Sequence, residues 1–304
     1  MSDLVQQQNS INDFATSDSW VILSPIELSI KKKIESVGTP LKDWDINIYR
    51  GVLTGCNEAF IIDTSKREEI LANCQSEEER QRTAELIRPI LRGRDIKRYG
   101  YDWAELWLIA TFPSRHYNID EYPSVKQYLL SYGIERLEQT GKVHYVNGEK
   151  IKSRKKTNNK WFETQDSISY WEDFSKPKIV WAETMRIHKG SNEKFPRFAL
   201  DERGYFADKT CFTAIGKSLD EIVMFLNSSI GKYLLSKYVS ILDNGGYLMQ
   251  KIYIEAIPIP ASIKEILHHI SINECMLCDY KIDQVLYAYF NLSEVEIAYI
   301  ESPI

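Results

Sequence analysis

Apolar residues at helical spacing predict helices in several parts of the chain. In the first, isoleucines recur every fourth residue behind Pro25 and the pattern stops at Gly38, as expected for one buried helix face between a proline start and a glycine end. A serine followed three residues later by a glutamate opens further helices at Ser76, Ser218 and Ser293, because this pair can cap a helix start. The predicted helices cover 24–37, 76–87, 122–137, 218–234 and much of the C-terminal tail.

Short apolar runs between turn residues predict strands. Two such runs flank a polar segment with Gly51 and Gly55, which predicts a strand, a turn and a second strand. Other strands are predicted at 106–111, 179–183, 197–200 and 211–215. This order predicts an α+β fold with a mixed or mostly antiparallel sheet, flanking helices and a helical C-terminal part.

Composition restricts the class of protein. The chain has 304 residues and a net charge of −5, long enough for one or two cores. It has no run of eighteen apolar residues and its N-terminus is polar, which disfavours membrane insertion and secretion. Five unevenly spaced cysteines indicate a reducing compartment rather than a disulfide framework. We therefore expect a cytoplasmic protein with no membrane partner.

Charge is unevenly distributed along the chain. From Lys150 to Lys160 there are six cations and no carboxylate, and five more cations lie between Arg88 and Arg98. Glutamates concentrate instead between positions 68 and 85, so one face can be basic although the total charge is negative. A solvated loop without a ligand explains the lysine segment equally well.

Side chains beside the lysine segment are suited to contact bases. Asn158, Asn159 and Trp161 adjoin it, and His144, Tyr145 and Asn147 precede it. Asparagine can bond adenine, arginine and lysine can bond guanine, and an aromatic ring can stack on a base. Because 141–159 lacks apolar periodicity, we expect a loop that is mobile until it orders on DNA.

Two other segments offer candidates for contact. Arg186, His188 and Lys189 follow the strand predicted at 179–183, although a single histidine is more often structural or merely exposed. Asn244 lies in an Asp-Asn-Gly-Gly turn, where an ordinary hairpin turn is the better-supported interpretation.

Two blocks in particular, Tyr49–Asp63 and Leu91–Tyr99, resemble the C-terminal target-recognition region, the TaqI-like specificity domain, of type IIG restriction-modification enzymes and adenine-specific DNA methyltransferases. The resemblance spans roughly residues 20 to 260. Similar stretches stand, in the same order, at Trp107–Ile109, Tyr122–Leu129, Trp161–Gln165, Lys176–Trp181, Leu226–Ser228 and Ile257–Pro260.

The resemblance implies the function and the partners. In that family this region binds a particular sequence of double-stranded DNA, while preceding domains of the same polypeptide methylate and cleave. It implies a prokaryotic protein with a polar lead-in over 1–18, a DNA target-recognition α/β region over 19–215 and a helix-rich part over 216–304 packing on it. We expect no cofactor in this chain; S-adenosylmethionine and Mg²⁺ would belong to the other domains.

The candidate DNA contacts combine the turn after the first strand, the basic segments and the strand end. They are Arg50, Thr54, Asn57, Arg94, Lys97, Lys152, Arg154, Lys155, Lys156, Asn158, Asn159, Lys160, Trp161, Arg186, His188, Lys189 and Asn244.

Other chemistry has weaker support. The chain has no Pro-Pro dipeptide, which an adenine methyltransferase motif needs beside its flipped base. Asp95 and Lys97 have part of a nuclease spacing, but no Pro-Asp precedes them and neighbouring cations would compete with a metal. An enzyme fragment that needs a partner in trans, either a nuclease or a methyltransferase, and a protein-interaction module remain as alternatives.

A zinc site is also disfavoured. Cys275 and Cys278 form a single Cys-x-x-Cys, and His268 and His269 precede it. Structural zinc requires four ligands with paired spacing, so buried free thiols are the better interpretation.

Overall fold

The computed structural model describes residues 23–186, 194–243, 245–272 and 279–302. The helices are α1 (Pro25–Glu35), α2 (Asn57–Phe60), α3 (Thr64–Ala72), α4 (Glu77–Leu86), α5 (Pro123–Leu130), α6 (Ile134–Leu137), α7 (Leu219–Asn227), α8 (Ser229–Tyr238), α9 (Lys251–Ile254), α10 (Ile263–Leu267), α11 (Tyr280–Tyr289) and α12 (Glu294–Glu301). The strands are β1 (Gly38–Pro40), β2 (Ile46–Arg50), β3 (Ile61–Asp63), β4 (Ile87–Leu91), β5 (Leu106–Ile109), β6 (Val143–Val146), β7 (Glu149–Lys152), β8 (Lys178–Ala182), β9 (Thr184–Met185), β10 (Phe198–Asp201), β11 (Phe206–Ala207), β12 (Cys211–Gly216), β13 (Ser240–Ile241), β14 (Tyr247–Leu248) and β15 (Pro258–Pro260).

A four-stranded antiparallel sheet, in the order β10, β8, β12, β2, lies between two hydrophobic cores. Strand β8 is buried along its whole length. Ile179 and Trp181 belong to one core, and Val180 belongs to the other. Because successive side chains of a strand face opposite sides, this sheet is covered by apolar residues on both faces.

A different set of secondary-structure elements packs against each core. The first core joins the central sheet to α1, α7, α8, α10, α11 and α12. The second core lies between the central sheet and a second sheet, in the order β11, β4, β5, β3, with α3, α4 and α5 around it. Strand β11 runs parallel to β4, whereas the other pairs of this sheet are antiparallel. The predicted α+β fold with mainly antiparallel strands is therefore confirmed.

Local capping explains where several helices begin. The side chains of Ser24 and Glu27 cap the start of α1 reciprocally, and Ser293 and Glu296 do the same for α12. Ser76 accepts from the third residue of α4. The structure confirms the helices predicted at 24–37 and 76–87 and the helix start at Ser293. They could be predicted because a capping signal involves only neighbouring residues.

The two strands predicted around Gly51 and Gly55 are present, but the connection between them is longer than a turn and contains α2. Strand β2 pairs with β12, while β3 pairs with β5 in the other sheet, and α2 lies between them. The chain leaves the central sheet at Gly51, where a Cβ would lie 2.0 Å from the carbonyl oxygen of Asp208. This close backbone contact redirects the chain into the second sheet.

The predicted helix over 218–234 is two helices. Ser218 has a left-handed backbone (φ 55°) and its side chain makes no capping bond, whereas Ser228 caps a new helix by accepting from Gly231 N–H. A Cβ on Gly231 would lie 2.3 Å from the Phe225 carbonyl oxygen, so glycine permits this sharp junction. Apolar residues of both helices, among them Ile222, Leu226 and Ile230, belong to the first core.

The helix predicted over 122–137 is also interrupted. Helix α5 ends at Leu130, and Gly133, with φ +84°, precedes α6. The predicted division of the chain at 215 stays a prediction. Residues on both sides of it contribute to the first core.

Candidate nucleic-acid interface

A groove of about 710 Å³ lies where β8 leaves the central sheet. The turn after β4, the segment that follows β8 and the loop before β12 line it together with the start of α2. Three of the predicted contact residues line this groove: Asn57, Arg94 and Arg186. The fold thus assembles candidates from three distant parts of the sequence.

Asn57 is held in place by a buried hydroxyl. Thr54 is fully buried, and its Oγ1 donates to Asn57 Oδ1 (2.7 Å) and accepts from Cys56 N–H (3.2 Å). Gly55, with φ +78°, makes the turn between them. Asn57 is exposed, whereas the fully buried Thr54 is a positioning residue that no ligand can touch in this conformation.

A set of internal bonds fixes the turn that carries Arg94. Arg92 donates from Nε and Nη2 to both oxygens of Asp95 (3.0 and 2.8 Å), which is itself buried. Gly93 N–H donates to Thr210 Oγ1 (2.8 Å). Arg94 is exposed, and its side chain has no hydrogen bond or ion pair with any residue in the described ranges. The turn therefore presents one uncommitted guanidinium to the groove.

Two carboxylates beside this turn, Asp95 and Asp208, accept hydrogen bonds from neighbouring side chains. The hydrogen bonds that Arg92 donates to Asp95 raise the pKa of Arg92, which stays charged. Burial raises the pKa of Asp208, although Thr210 donates to it from both its backbone N–H and its hydroxyl. The Asp95 carboxylate anchors Arg92 and accepts from both its backbone and its side chain.

Arg186, which lines the groove, and Arg50, which contacts the lining residue Glu183, differ in how many bonds they already make. Arg50 Nη2 bonds both carboxylate oxygens of Glu183 (3.0 and 2.8 Å), and its Nε donates to the Lys209 carbonyl (3.2 Å). Arg186 is exposed, and only its carbonyl has a described bond, accepted from Arg197 Nη1 (3.3 Å). Arg186 can bind an anion directly, whereas Arg50 would first exchange Glu183.

The lysine segment begins as a β-hairpin rather than a loop. Strands β6 and β7 pair antiparallel around Asn147 and Gly148, which both have positive φ, 50° and 83°. Asn-Gly with this backbone is the favoured two-residue hairpin turn. The expectation of irregular structure over 141–159 is therefore wrong for the hairpin.

Arg154 is buried, with 4% of its surface exposed, and is not available to a phosphate. Its guanidinium donates to four carbonyl oxygens, those of Leu137, Thr54, Glu163 and Trp161, at 2.6–2.8 Å. Burial lowers the pKa of Arg154 to about 10, so it remains protonated near neutral pH. We correct its predicted DNA contact to an anchoring role.

Most of the other cations in this segment are accessible. Exposed side chains without an ion pair in the described part of the chain belong to Lys152, Lys155, Lys156 and Lys160. Asn158 is exposed as well, but Asn159 is half-buried and donates to the Thr164 and Gln165 carbonyls (3.3 and 2.8 Å). The ring of Trp161 is half-buried against Phe162.

The groove and the lysine segment are neighbours. Arg154 joins them through the Thr54 carbonyl, three residues before Asn57. Burial raises the pKa of Asp166, and the positive charges of Arg50 and Lys155 lower it. The lysine segment therefore lies beside Arg50 and the turn that carries Asn57.

Four predicted contact residues remain: Lys97, His188, Lys189 and Asn244. Lys97 is half-buried, and its backbone N–H donates to the Gly100 carbonyl (2.8 Å). His188, Lys189 and Asn244 lie outside the described residues. Strands β13 and β14 pair on either side of the turn that contains Asn244, in agreement with the hairpin interpretation.

Sequence reasoning missed several side chains of this surface. Lys142 is exposed beside the hairpin, and Arg92 and Arg197 line the groove. The Asn147–Gly148 dipeptide between alternating residues was a usable signal for the hairpin. No local signal marks Arg197, because its place in the groove depends on the pairing of β10 with β8.

Within the same described ranges, no three histidine, cysteine or acidic side chains are grouped as metal ligands. Cys275 and Cys278 lie outside those ranges. The rings of His268 and His269 contact each other edge to face at 5.3 Å. No described helix is long and apolar enough to cross a membrane.

Two of the solved structures with a similar fold are those of restriction enzymes. The type IIG restriction endonuclease BpuSI matches with a TM-score of 0.55 and 14% identity, over 90% of this chain and 31% of BpuSI. The type IIL restriction-modification enzyme MmeI, solved in complex with DNA, matches with a TM-score of 0.50 and 12% identity, over 87% of this chain and 34% of MmeI. The chain thus spans about a third of each enzyme.

The family is shown by a match to the sequence. Residues 88–259, more than half of the chain, match the TaqI-like C-terminal specificity domain, and the chain belongs to this family. A search among curated proteins finds no match. The resemblance identified from the two sequence blocks is confirmed.

Proposed function

We propose that this chain binds double-stranded DNA in a sequence-specific manner, as the specificity module of a prokaryotic cytoplasmic restriction-modification enzyme. Methylation and cleavage would be carried out by other domains of the same polypeptide, which would also hold S-adenosylmethionine and Mg²⁺. Membership of the specificity-domain family and the fold shared with two restriction-modification enzymes support this proposal. The observation that carries it is the groove that collects Asn57, Arg94 and Arg186.

The three side chains have the chemistry that base recognition requires. The guanidinium groups of Arg94 and Arg186 are exposed and could each bond the O6 and N7 atoms of guanine. Asn57, whose carbonyl oxygen is engaged by Thr54, has an amide donor for a base acceptor. The lysines beside the groove, Lys155, Lys156 and Lys160, would contact phosphates and contribute salt-dependent affinity.

The proposal is tested by selection from a randomised DNA duplex pool at two salt concentrations, with the retained duplexes sequenced. We expect an enriched sequence motif, because base contacts discriminate among duplexes whereas phosphate contacts do not. Binding without enrichment would contradict specificity in this chain. No binding at either salt concentration would contradict DNA recognition and favour a module for protein interaction.

A further inference from the structure

The hairpin of β6 and β7 has one face that no described part of the protein covers. Residues directly opposite each other in the register share a face, so Val143 pairs with Lys152 and Tyr145 with Lys150 on the same side. Val143 is 44% exposed and Tyr145 is 75% exposed. Both lysines are exposed too. We call these four residues the outer face of the hairpin.

The opposite face is turned toward the body of the protein. His144, Val146 and Ile151 are each partly buried there, and His144 Nε2 lies 2.5 Å from Glu138 Oε1. The single carboxylate of the hairpin, Glu149, pairs with Val146 on this same side. The outer face therefore has two cations, two apolar side chains and no negative charge of its own.

The base of the hairpin is held rigidly. Gly141 N–H donates to the Arg154 carbonyl and Ser153 N–H to the Lys142 carbonyl, both at 2.9 Å. Arg154 then bonds the carbonyls of Thr54 and Glu163 from its side chain. An isolated hairpin is only marginally stable in water, so this anchor explains how the ribbon keeps its shape beside the groove.

Size and charge fit one kind of ligand. Two paired strands about 4.8 Å apart, with their side chains, match the DNA major groove, which is about 12 Å wide and admits a two-stranded ribbon. Neighbouring cations that are exposed and have no ion pair within the described ranges complement its phosphates: Lys142, Lys155 and Lys156. A negatively charged duplex therefore complements the outer face and its surroundings.

We propose that the β6–β7 hairpin enters the DNA major groove with its outer face toward the base edges. Lys150 and Lys152 bond acceptors such as guanine O6 and N7, and Tyr145 packs against bases and thymine methyl groups. The inference rests on the proposed DNA recognition and adds to it a second set of specificity-determining residues outside the groove of Asn57 and Arg94.

The test compares the full chain with Lys150→Ala/Lys152→Ala and with Tyr145→Ala, on the duplex enriched from the randomised pool. The matched controls are Lys32→Ala/Lys264→Ala and Tyr280→Ala. They change exposed residues of the same types that lie on helices outside the hairpin. Every purine of the motif is replaced in turn by its 7-deaza analogue, and every thymine by uracil. These changes alter only the major groove.

We expect at least one replacement to weaken wild-type binding by about fivefold or more, the effect of losing one base contact. Each hairpin variant should be weaker on the unmodified duplex and should lose its sensitivity to at least one replacement that weakens the wild type. Replacements at bases bound by Arg94 or Arg186 should still weaken it, and the controls should behave as wild type. A hairpin variant that keeps the full pattern of sensitivity, whether or not its affinity falls uniformly, would overturn the inference and leave the proposed function intact. Failure of the wild-type chain to bind any duplex would overturn both.

Discussion

Substitution of Arg154 by alanine should destabilise the fold rather than remove a DNA contact. The side chain is 4% exposed and donates to four carbonyl oxygens at 2.6–2.8 Å. A hydrogen bond from a charged group contributes about 1.5–3 kcal/mol net. Burial of the charge opposes this gain and lowers the pKa of Arg154 to about 10. If only two of the four bonds act at the lower value, the loss is about 3 kcal/mol.

The substitution also leaves buried carbonyl oxygens without a donor, and each unsatisfied buried group costs about 1–3 kcal/mol. Urea unfolding followed by tryptophan fluorescence measures this loss. The adjacent exposed residue supplies the control, because Lys155→Ala should change the free energy of unfolding by less than about 0.5 kcal/mol. A stable Arg154→Ala variant whose DNA affinity depends less on salt would refute the anchoring role and restore Arg154 as a phosphate contact.

Three other predictions follow from the structure. Lys155→Ala/Lys156→Ala should lower the slope of log affinity against log salt by about 2, because each side chain would contact one phosphate; an unchanged slope in salt titrations would place DNA elsewhere. Gly51→Ala should destabilise the protein by roughly 3 kcal/mol in thermal unfolding, since the new Cβ would lie 2.0 Å from the Asp208 carbonyl oxygen. Gly148→Ala should cost about 1 kcal/mol, because there is open space around Gly148 but its φ is +83°. Equal effects of the two substitutions would contradict this packing. Burial raises the pKa of Glu296, but hydrogen bonds from Lys33, Ser293 and Ser29 outweigh it and lower this pKa from 4.5 to about 2. Because the pKa is lower in the folded than in the unfolded state, the stabilisation is complete above pH 4.5 and is lost as the pH falls toward 2. After allowance for solvent screening near the surface we expect about 1–2 kcal/mol, which Glu296→Gln should remove from the difference between urea unfolding at pH 6 and pH 3.

Much of the helical structure could be predicted because its signals are local. The serine caps of α1, α4 and α12 involve residues three positions apart. Ser218 shows the limit of this signal, because the backbone there is left-handed and the capping pattern is not used. Tertiary packing decided the geometry at that point.

Strand partners were harder to predict. Strand β2 pairs with β12, more than 150 positions away in the sequence, and the contact of Gly51 with Asp208 is equally distant. No pattern within 46–63 indicates such partners. The Asn147–Gly148 hairpin, by contrast, was predictable from its turn, but the lysines around it suggested a loop.

The candidate site was predicted as residue types rather than as an arrangement. Asn57, Arg94 and Arg186 stood out because each lies beside a turn or a strand end, yet their meeting in one groove depends on the tertiary fold. Arg154 and Lys155 look alike in the sequence. One is buried and the other exposed, because only the arginine fork reaches several carbonyls at once.

The central claim, that the groove recognises a DNA sequence, is tested most directly by the specificity ratio of the chain. This is the affinity for the enriched duplex divided by the affinity for a shuffled duplex at the same salt concentration, measured for the wild type and for Arg94→Ala/Arg186→Ala. We predict a wild-type ratio of about 10³ or more that falls at least about tenfold in the variant, while affinity for the shuffled duplex changes little. A wild-type ratio near one, or a ratio that the two substitutions leave unchanged, would contradict the account.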